Sequence, residues 1–166
     1  MKNKAMTRRI LNPFTMLCFG LAIGVAARLL DIFTTNLGEI FSQMAAWILM
    51  GTLISIYSRT AKHAMGNVLA FCLGMLVTYY FVAALSHGVY SMGFVIGWTV
   101  FALCSPVMAY FAWLTKERGI FAKIVRVGIV AVSILSSILL FDRLRIYDFL
   151  IDGTLLYFLF FKKVNR

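Results

Sequence analysis

The chain has 166 residues, of which 62% are hydrophobic and only 13% are charged, and its formal net charge is +10. Soluble domains contain about 25% charged residues, and a soluble fold of this size could not hide so much apolar surface, because small folds leave a large fraction of their surface wet. The composition therefore excludes an ordinary soluble protein. It predicts a single domain over residues 1–166 whose main partner is a lipid bilayer.

Other classes of protein find little support in the chain. The basic residues lie in short clusters between apolar runs and not along one solvated face, which argues against nucleic acid as a partner. The cysteines Cys18, Cys72 and Cys104 each lie inside an apolar run without metal-ligand spacing, so we expect no metal site. No zinc-protease, nucleophile-elbow or phosphate-loop motif is present, and we therefore expect neither an enzyme nor a cofactor.

Six apolar segments approach the length of about 20 residues that a membrane-spanning helix needs. The first opens with Asn12 and Pro13, a helix cap followed by a first-turn proline. The fourth contains Pro106, which can kink a helix, and the sixth is the shortest. The connections are short, which favours antiparallel neighbours in one bundle. The predicted spans are 13–33, 39–57, 65–85, 90–114, 120–141 and 144–161.

The basic residues predict the orientation of these spans. With the N-terminus in the cytoplasm, 13 of the 16 Lys and Arg residues fall on the cytoplasmic side, and only Arg28, Arg143 and Arg145 fall toward the outside. Basic residues near span ends are enriched on the cytoplasmic side of membrane proteins. We therefore expect an all-α bundle of six spans in the cell membrane, with both termini in the cytoplasm.

Polar residues concentrate in the outer half of the predicted first, second and sixth spans. A charge within a spanning helix costs about 2.5–3.5 kcal/mol on insertion scales, and such residues often mark a solute or ion pathway. Asp148 and Asp152 are four residues apart and share a helix face, and Arg28 lies three residues before Asp31. We hypothesise a polar cavity that is open to the outside and binds a small solute. Its predicted contacts are Arg28, Asp31, Glu39, Gln43, Arg145, Asp148 and Asp152.

Structural explanations of the same residues stay open. Arg28 would form an ion pair with Asp148 or Asp152 that ties the first helix to the last, since ion pairs inside bundles commonly serve structure alone. Asp148 would merely complement a helix N-terminus if the last helix begins there. The polar residues expected only to bond neighbouring helices are Asn67, Ser133, Ser136 and Ser137.

Small residues recur at a spacing of four in the first span. Gly20-x-x-x-Gly24 is overlapped by Ala22-x-x-x-Ala26, and a second pair of glycines occupies positions 93 and 97. Such spacing lets helices approach closely in lipid. Packing within this chain is one explanation, and docking of a partner subunit is the other. The predicted partner contacts are Gly20, Ala22, Gly24 and Ala26.

Several short segments of the chain carry a resemblance to a bacterial family. The run Leu37–Gln43 through Arg59, followed by Asn67 and by Gly74-Met75 with Tyr79-Tyr80, resembles a family of small membrane proteins of unknown function. The resemblance covers most of the chain and implies no activity.

The architecture is also similar to the substrate-binding S components of energy-coupling-factor transporters, on the basis of six short-looped spans and Ala22-x-x-x-Ala26. In that family the first-helix alanines contact the coupling subunit, and a vitamin or metal binds near the outer face. The short loop after the first span departs from that family, and no vitamin-specific motif implies a substrate.

We therefore expect a solute-binding or transport subunit that acts with a partner. The rival hypothesis is a non-transporting accessory, regulatory or scaffold subunit, and a channel would need several copies to build a pore.

Overall fold

A computed structural model describes residues 11–34, 44–86, 91–141 and 146–164. All regular structure within these ranges is helical, which confirms the all-α class. The last helix continues into one π-helical turn over Tyr157–Phe161. The six described α-helices are α1 (Pro13–Phe33), α2 (Met44–Tyr57), α3 (Ala61–Leu85), α4 (Met92–Leu114), α5 (Ile120–Phe141) and α6 (Ile146–Leu156).

Side-chain caps explain where several helices begin. The Asn12 side chain accepts a hydrogen bond from the Thr15 amide at 3.0 Å, and Pro13 occupies the first helical position, as the sequence predicts. α3 begins four residues before the predicted start, because the Thr60 hydroxyl accepts from the His63 amide at 3.2 Å. Satisfying one orphan amide of the first turn in this way stabilises a helix start. α1 and α5 begin and end at the predicted residues.

Four of the helices, α1, α3, α4 and α5, are long and apolar enough to cross a membrane. α2 has 14 residues and α6 has 11, both shorter than a full span. Residues 39–43 and 144–145, which would lengthen these two helices, lie outside the described part of the chain. The helices indicate a membrane protein, while six spans with both termini in the cytoplasm stay a prediction.

α2 lies at the centre of the bundle, where it contacts α3, α4, α5 and α6, whereas α1 packs along α3. One apolar core gathers Trp47 of α2, Phe71 of α3 and Ala102 of α4. A smaller core joins Leu155 of α6 to Val130 of α5. Large apolar side chains also cover the outside of the bundle. This distribution suits a surface that contacts lipid tails, which are as apolar as the side chains themselves.

Glycines bring α1 and α3 into close contact. A Cβ atom added at Gly20 would lie 2.2 Å from the Phe71 carbonyl oxygen, and one added at Gly74 would lie 2.6 Å from the Leu17 oxygen. The Thr78 hydroxyl also donates a hydrogen bond across the interface to the Leu21 oxygen at 2.8 Å. The first GxxxG motif is therefore used within this chain, where only glycine permits such a short distance between backbones.

The four predicted partner contacts differ in their exposure on the surface of the bundle. Gly20 and Gly24 are buried against α3, Ala26 is half-buried, and Ala22 is exposed. Gly97 of the second motif is also exposed, and a Cβ there would have no neighbour within 4 Å. Among these four residues, Ala22 is therefore the one that a partner subunit could contact directly.

Candidate functional site: the carboxylates of α6 and the serines of α5

The two aspartates of α6 are buried inside the bundle. Asp148 is 0% exposed and Asp152 is 8% exposed. They lie one turn apart on the same face, as their spacing of four predicts. Because α6 begins at Ile146, Asp148 also lies in the first helical turn, where a carboxylate complements the positive end of the helix dipole. The site therefore combines a carboxylate in the first turn of α6 with a second carboxylate one turn further along the helix.

Serines of α5 supply the hydrogen bonds to these carboxylates. The Ser133 hydroxyl donates to Asp152 Oδ1 at 2.6 Å, and the Ser137 hydroxyl donates to Asp148 Oδ1 at 3.3 Å. Both serines are almost fully buried. A buried polar group costs free energy unless it is hydrogen-bonded. These bonds therefore stabilise the α5–α6 interface at two successive turns.

The register of the two helices could have revealed these pairs in the sequence. α5 and α6 run antiparallel, so moving four residues back along α5 corresponds to moving four residues forward along α6. Ser137 and Ser133 then face Asp148 and Asp152 in turn. The sequence predicts that Ser133, Ser136 and Ser137 bond neighbouring helices. This is confirmed for Ser133 and Ser137, whereas Ser136 donates to the Ser133 oxygen of its own helix. The sequence alone did not connect the serines to the aspartates, because the register of two helices follows from their packing and not from either helix alone.

Basic residues fix the opposite end of α6. The Lys116 ammonium donates to the backbone carbonyl oxygens of Phe158, of Leu159 at 3.2 Å and of Lys162 at 2.9 Å. The Arg126 side chain serves the end of α4 in the same way, since it donates to the oxygen of the cap residue Thr115 at 2.6 Å. A cation at a helix C-terminus satisfies orphan carbonyl groups and complements the dipole. The sequence indicated only a topological role for Lys116.

A second polar cluster lies between α1 and α3. The Arg28 guanidinium contacts the Asp31 carboxylate at 2.5 Å, and its carbon lies 5.6 Å from the centre of the Tyr79 ring. The Tyr79 hydroxyl donates to the same carboxylate at 3.3 Å. Arg28 Nε is buried and has no hydrogen-bond partner among the described residues. Asp31 itself is exposed.

The predicted solute contacts that the structure describes thus lie in two clusters, Arg28 with Asp31 and Asp148 with Asp152. Arg28 pairs with Asp31 of its own helix, and no ion pair within the described ranges joins it to Asp148 or Asp152. The reason is packing: glycines hold α1 against α3, where Arg28 meets Tyr79, while α6 packs on α2 and α5. The predicted contacts Glu39, Gln43 and Arg145 lie outside the described residues.

Asn67 illustrates the structural use of a buried polar group. Its side-chain amide donates to the Ser58 hydroxyl at 3.0 Å, and the Trp113 indole donates to the Ser58 backbone oxygen at 3.1 Å. This network ties α3 and α4 to the end of α2, which confirms the bundle-bonding role expected for Asn67. Among the residues with described positions, no three His, Cys, Asp or Glu side chains group together in a way that could hold a metal ion.

Apolar helices that bury polar groups against one another, with an apolar outer surface, define a helical membrane protein. Within that class, the chain belongs to the family of unknown function DUF6518, which matches residues 3–146. The match extends over α1 to α5 and bears out the resemblance to a family of unknown function. Searches among curated proteins and solved structures give no match.

Proposed function

We propose that this protein is a solute-binding or transport subunit of the cell membrane that acts with a partner subunit. The observation that carries the proposal is the burial of Asp148 and Asp152 against serine hydroxyls in a bundle with an apolar exterior. Two carboxylates inside a membrane protein are costly, and such groups commonly mark a solute or ion pathway. The Arg28 cluster is separate, so we assign the solute to the α5–α6 interface.

The chemistry of this interface favours a positively charged solute. Carboxylate and hydroxyl oxygens are the ligands that hard cations prefer, and the same oxygens accept hydrogen bonds from an ammonium group. Asp152 lies one turn further along α6 than Asp148 and has the shorter bond to serine. A small cation or a protonated amine would exchange one such hydrogen bond for direct contact with the carboxylate. The proposal assigns the protein no catalytic step.

Thermal unfolding of the purified protein tests this assignment. Sodium, lithium, potassium and small alkylammonium chlorides are compared at constant ionic strength in the wild type, Asp152→Asn and Asp31→Asn. Asp31→Asn is the matched control, because it removes an exposed carboxylate at the other cluster. We expect at least one cation to raise the melting temperature of the wild type and of Asp31→Asn but not of Asp152→Asn. A wild type that responds to no cation, or equal responses in both variants, would refute the proposal.

An accessory, regulatory or scaffold role is the alternative, and one observation favours it. The serine hydroxyls and the Arg28–Asp31 pair already supply hydrogen bonds to the carboxylates, as purely structural groups would require. Purification of the native complex separates the two functions. An ATP-driven coupling subunit bound through the exposed Ala22 face would support transport, in line with the resemblance to S components. A stable complex with an unrelated enzyme or sensor would support the scaffold.

A further inference from the structure

An apolar groove of about 350 Å³ lies between α4 and α5, with α2 as its floor. The two outer helices are consecutive in the chain, yet each contacts α2 more extensively than it contacts the other, which leaves a gap between them. Trp47 lies on the floor, and Met108 and Val132 lie on the exposed rim. The volume falls within the range of about 300–1,000 Å³ that is usual for ligand sites. The groove therefore has room for a ligand, and it opens onto the outer surface of the bundle between α4 and α5.

The length and depth of the groove match one leaflet of a bilayer. Along α5 it extends from Ile124 to Val132, a distance of about 12 Å at the helical rise per residue. The end of the groove at Ile124 lies four residues, or about 6 Å, from the start of α5 at Ile120. The far end of the groove is thus about 18 Å from the loop before α5, close to the middle of a hydrocarbon core about 30 Å thick.

The lining of the groove is almost entirely apolar, which suits a hydrocarbon chain. Its hydroxyl side chains are Thr52 of α2 and Ser105 of α4. Both residues are buried, and the Ser105 hydroxyl donates to the Ala102 oxygen of its own helix at 2.7 Å. Because no charged side chain is among the residues that line the groove, an apolar chain could fill it without burying a charge.

A positive charge lies at the near end of the groove. Arg118 belongs to the loop that joins α4 to α5 and is exposed. It makes no ion pair within the described ranges. Arginine binds phosphate through several donors at once. The groove ends at Ile124, six residues after Arg118. A phospholipid chain in the groove would therefore carry its phosphate toward the end of the bundle where this arginine lies.

We propose that this groove holds one acyl chain of a bilayer phospholipid, with the phosphate beside Arg118 and the chain running past Thr52 to Trp47. The chain fills the gap between α4 and α5 and completes the packing of α2. Gly128 makes the room, because a Cβ there would have no neighbour within 4 Å. The inference is independent of the proposed solute site, which lies on the other side of α5 against α6.

Quenching of tryptophan fluorescence by brominated acyl chains tests the proposal, because bromine quenches only on contact. Trp98→Phe and Trp113→Phe leave Trp47 as the sole tryptophan of the full chain, reconstituted in phosphatidylcholine vesicles with brominated chains. Gly128→Leu fills the groove. Gly97→Leu is the matched control, because it places the same side chain on an equally open glycine of α4 that does not border the groove.

We expect strong quenching of Trp47 in the parent and in Gly97→Leu, and at least a two-fold loss of quenching in Gly128→Leu. If Gly128→Leu fails to fold, Val132→Phe blocks the same groove from its rim and must give the same loss. Absence of quenching in the parent would overturn the proposal, because Trp47 is then covered by protein or by a second copy of the chain. Equal quenching in the parent and in the groove-filling variant would overturn it as well.

Discussion

Substitution of Gly20 by alanine tests the close packing of α1 on α3. The added Cβ would lie 2.2 Å from the Phe71 carbonyl oxygen and 2.9 Å from its carbonyl carbon. Both atoms belong to the backbone, so no side-chain rotation can relieve the clash. Contacts of a Cβ become ordinary at 3.4 Å, so the helices must separate by about 1.2 Å (3.4 minus 2.2). A shift of that size disturbs every contact along the interface.

The expected cost follows from two contributions. Overpacking of a close-packed interior costs about 1–3 kcal/mol. Separation of the helices also lengthens the bond from the Thr78 hydroxyl to the Leu21 oxygen, and hydrogen bonds between membrane helices contribute about 0.6 kcal/mol on average. The gain in helix propensity of alanine over glycine, at most about 1 kcal/mol, offsets part of this. We therefore expect Gly20→Ala to lower the free energy of unfolding by about 1–3 kcal/mol.

Reversible unfolding in mixed detergent micelles measures this free energy. Gly97→Ala is the control, because its Cβ meets nothing within 4 Å, and we expect a change within about 0.5 kcal/mol, as for surface positions generally. If Gly20→Ala unfolds with the same free energy as Gly97→Ala, then α1 does not pack on α3 as described. The GxxxG motif would then be available to a partner subunit.

Two further predictions concern α6. Ser133→Ala removes the donor to Asp152 and should lower the free energy of unfolding by about 1–3 kcal/mol, the usual cost of leaving a buried polar group without its partner. Ser136→Ala should cost less in the same assay, because that hydroxyl bonds only a carbonyl oxygen of its own helix; equal costs would contradict the assignment. Lys116→Met removes the donors that cap the end of α6, so amide hydrogen exchange over residues 157–162 should accelerate at least several-fold. Lys123→Met, at an exposed position, should leave that exchange unchanged, and a similar acceleration in both variants would show that charge alone is responsible.

The sequence predicts the helices of this fold better than their arrangement. Helix bounds follow from local signals such as Asn12 and Pro13, which act within one turn. The neighbours of each helix depend on contacts between residues far apart in the chain. One structural explanation paired Arg28 with Asp148 or Asp152, but the glycines hold α1 against α3, where Arg28 contacts Asp31 and Tyr79. Spacing along one helix predicts which residues share a face, but not which other helix that face contacts.

The same limit applies to the candidate site. The spacing of Asp148 and Asp152 shows that they share a face of α6, and their cost in lipid suggests that this face is turned inward. The serines that donate to these aspartates could be identified only from the register of α5 against α6, which the structure provides. The role of Lys116 could not be predicted for another reason. Its partners are backbone carbonyl oxygens at a helix end, and because every residue has such an oxygen, the sequence does not show which ones a lysine will contact.

Disulfide cross-linking of positions 133 and 152 tests the juxtaposition of α5 and α6 most directly. The pair Ser133→Cys with Asp152→Cys is made in a chain whose native cysteines are replaced, and the shifted pair Ser137→Cys with Asp152→Cys serves as the comparison. The bond of 2.6 Å between Ser133 Oγ and Asp152 Oδ1 places these two side chains in direct contact, and thermal motion of the helices would bring the cysteine Cβ atoms to the separation of about 3.5–4.5 Å that a disulfide requires. We predict rapid cross-linking of the first pair in native membranes and little of the second. No cross-link at 133 and 152, or equal yields from both pairs, would contradict the buried carboxylate site. The native cysteines to be replaced are Cys18, Cys72 and Cys104.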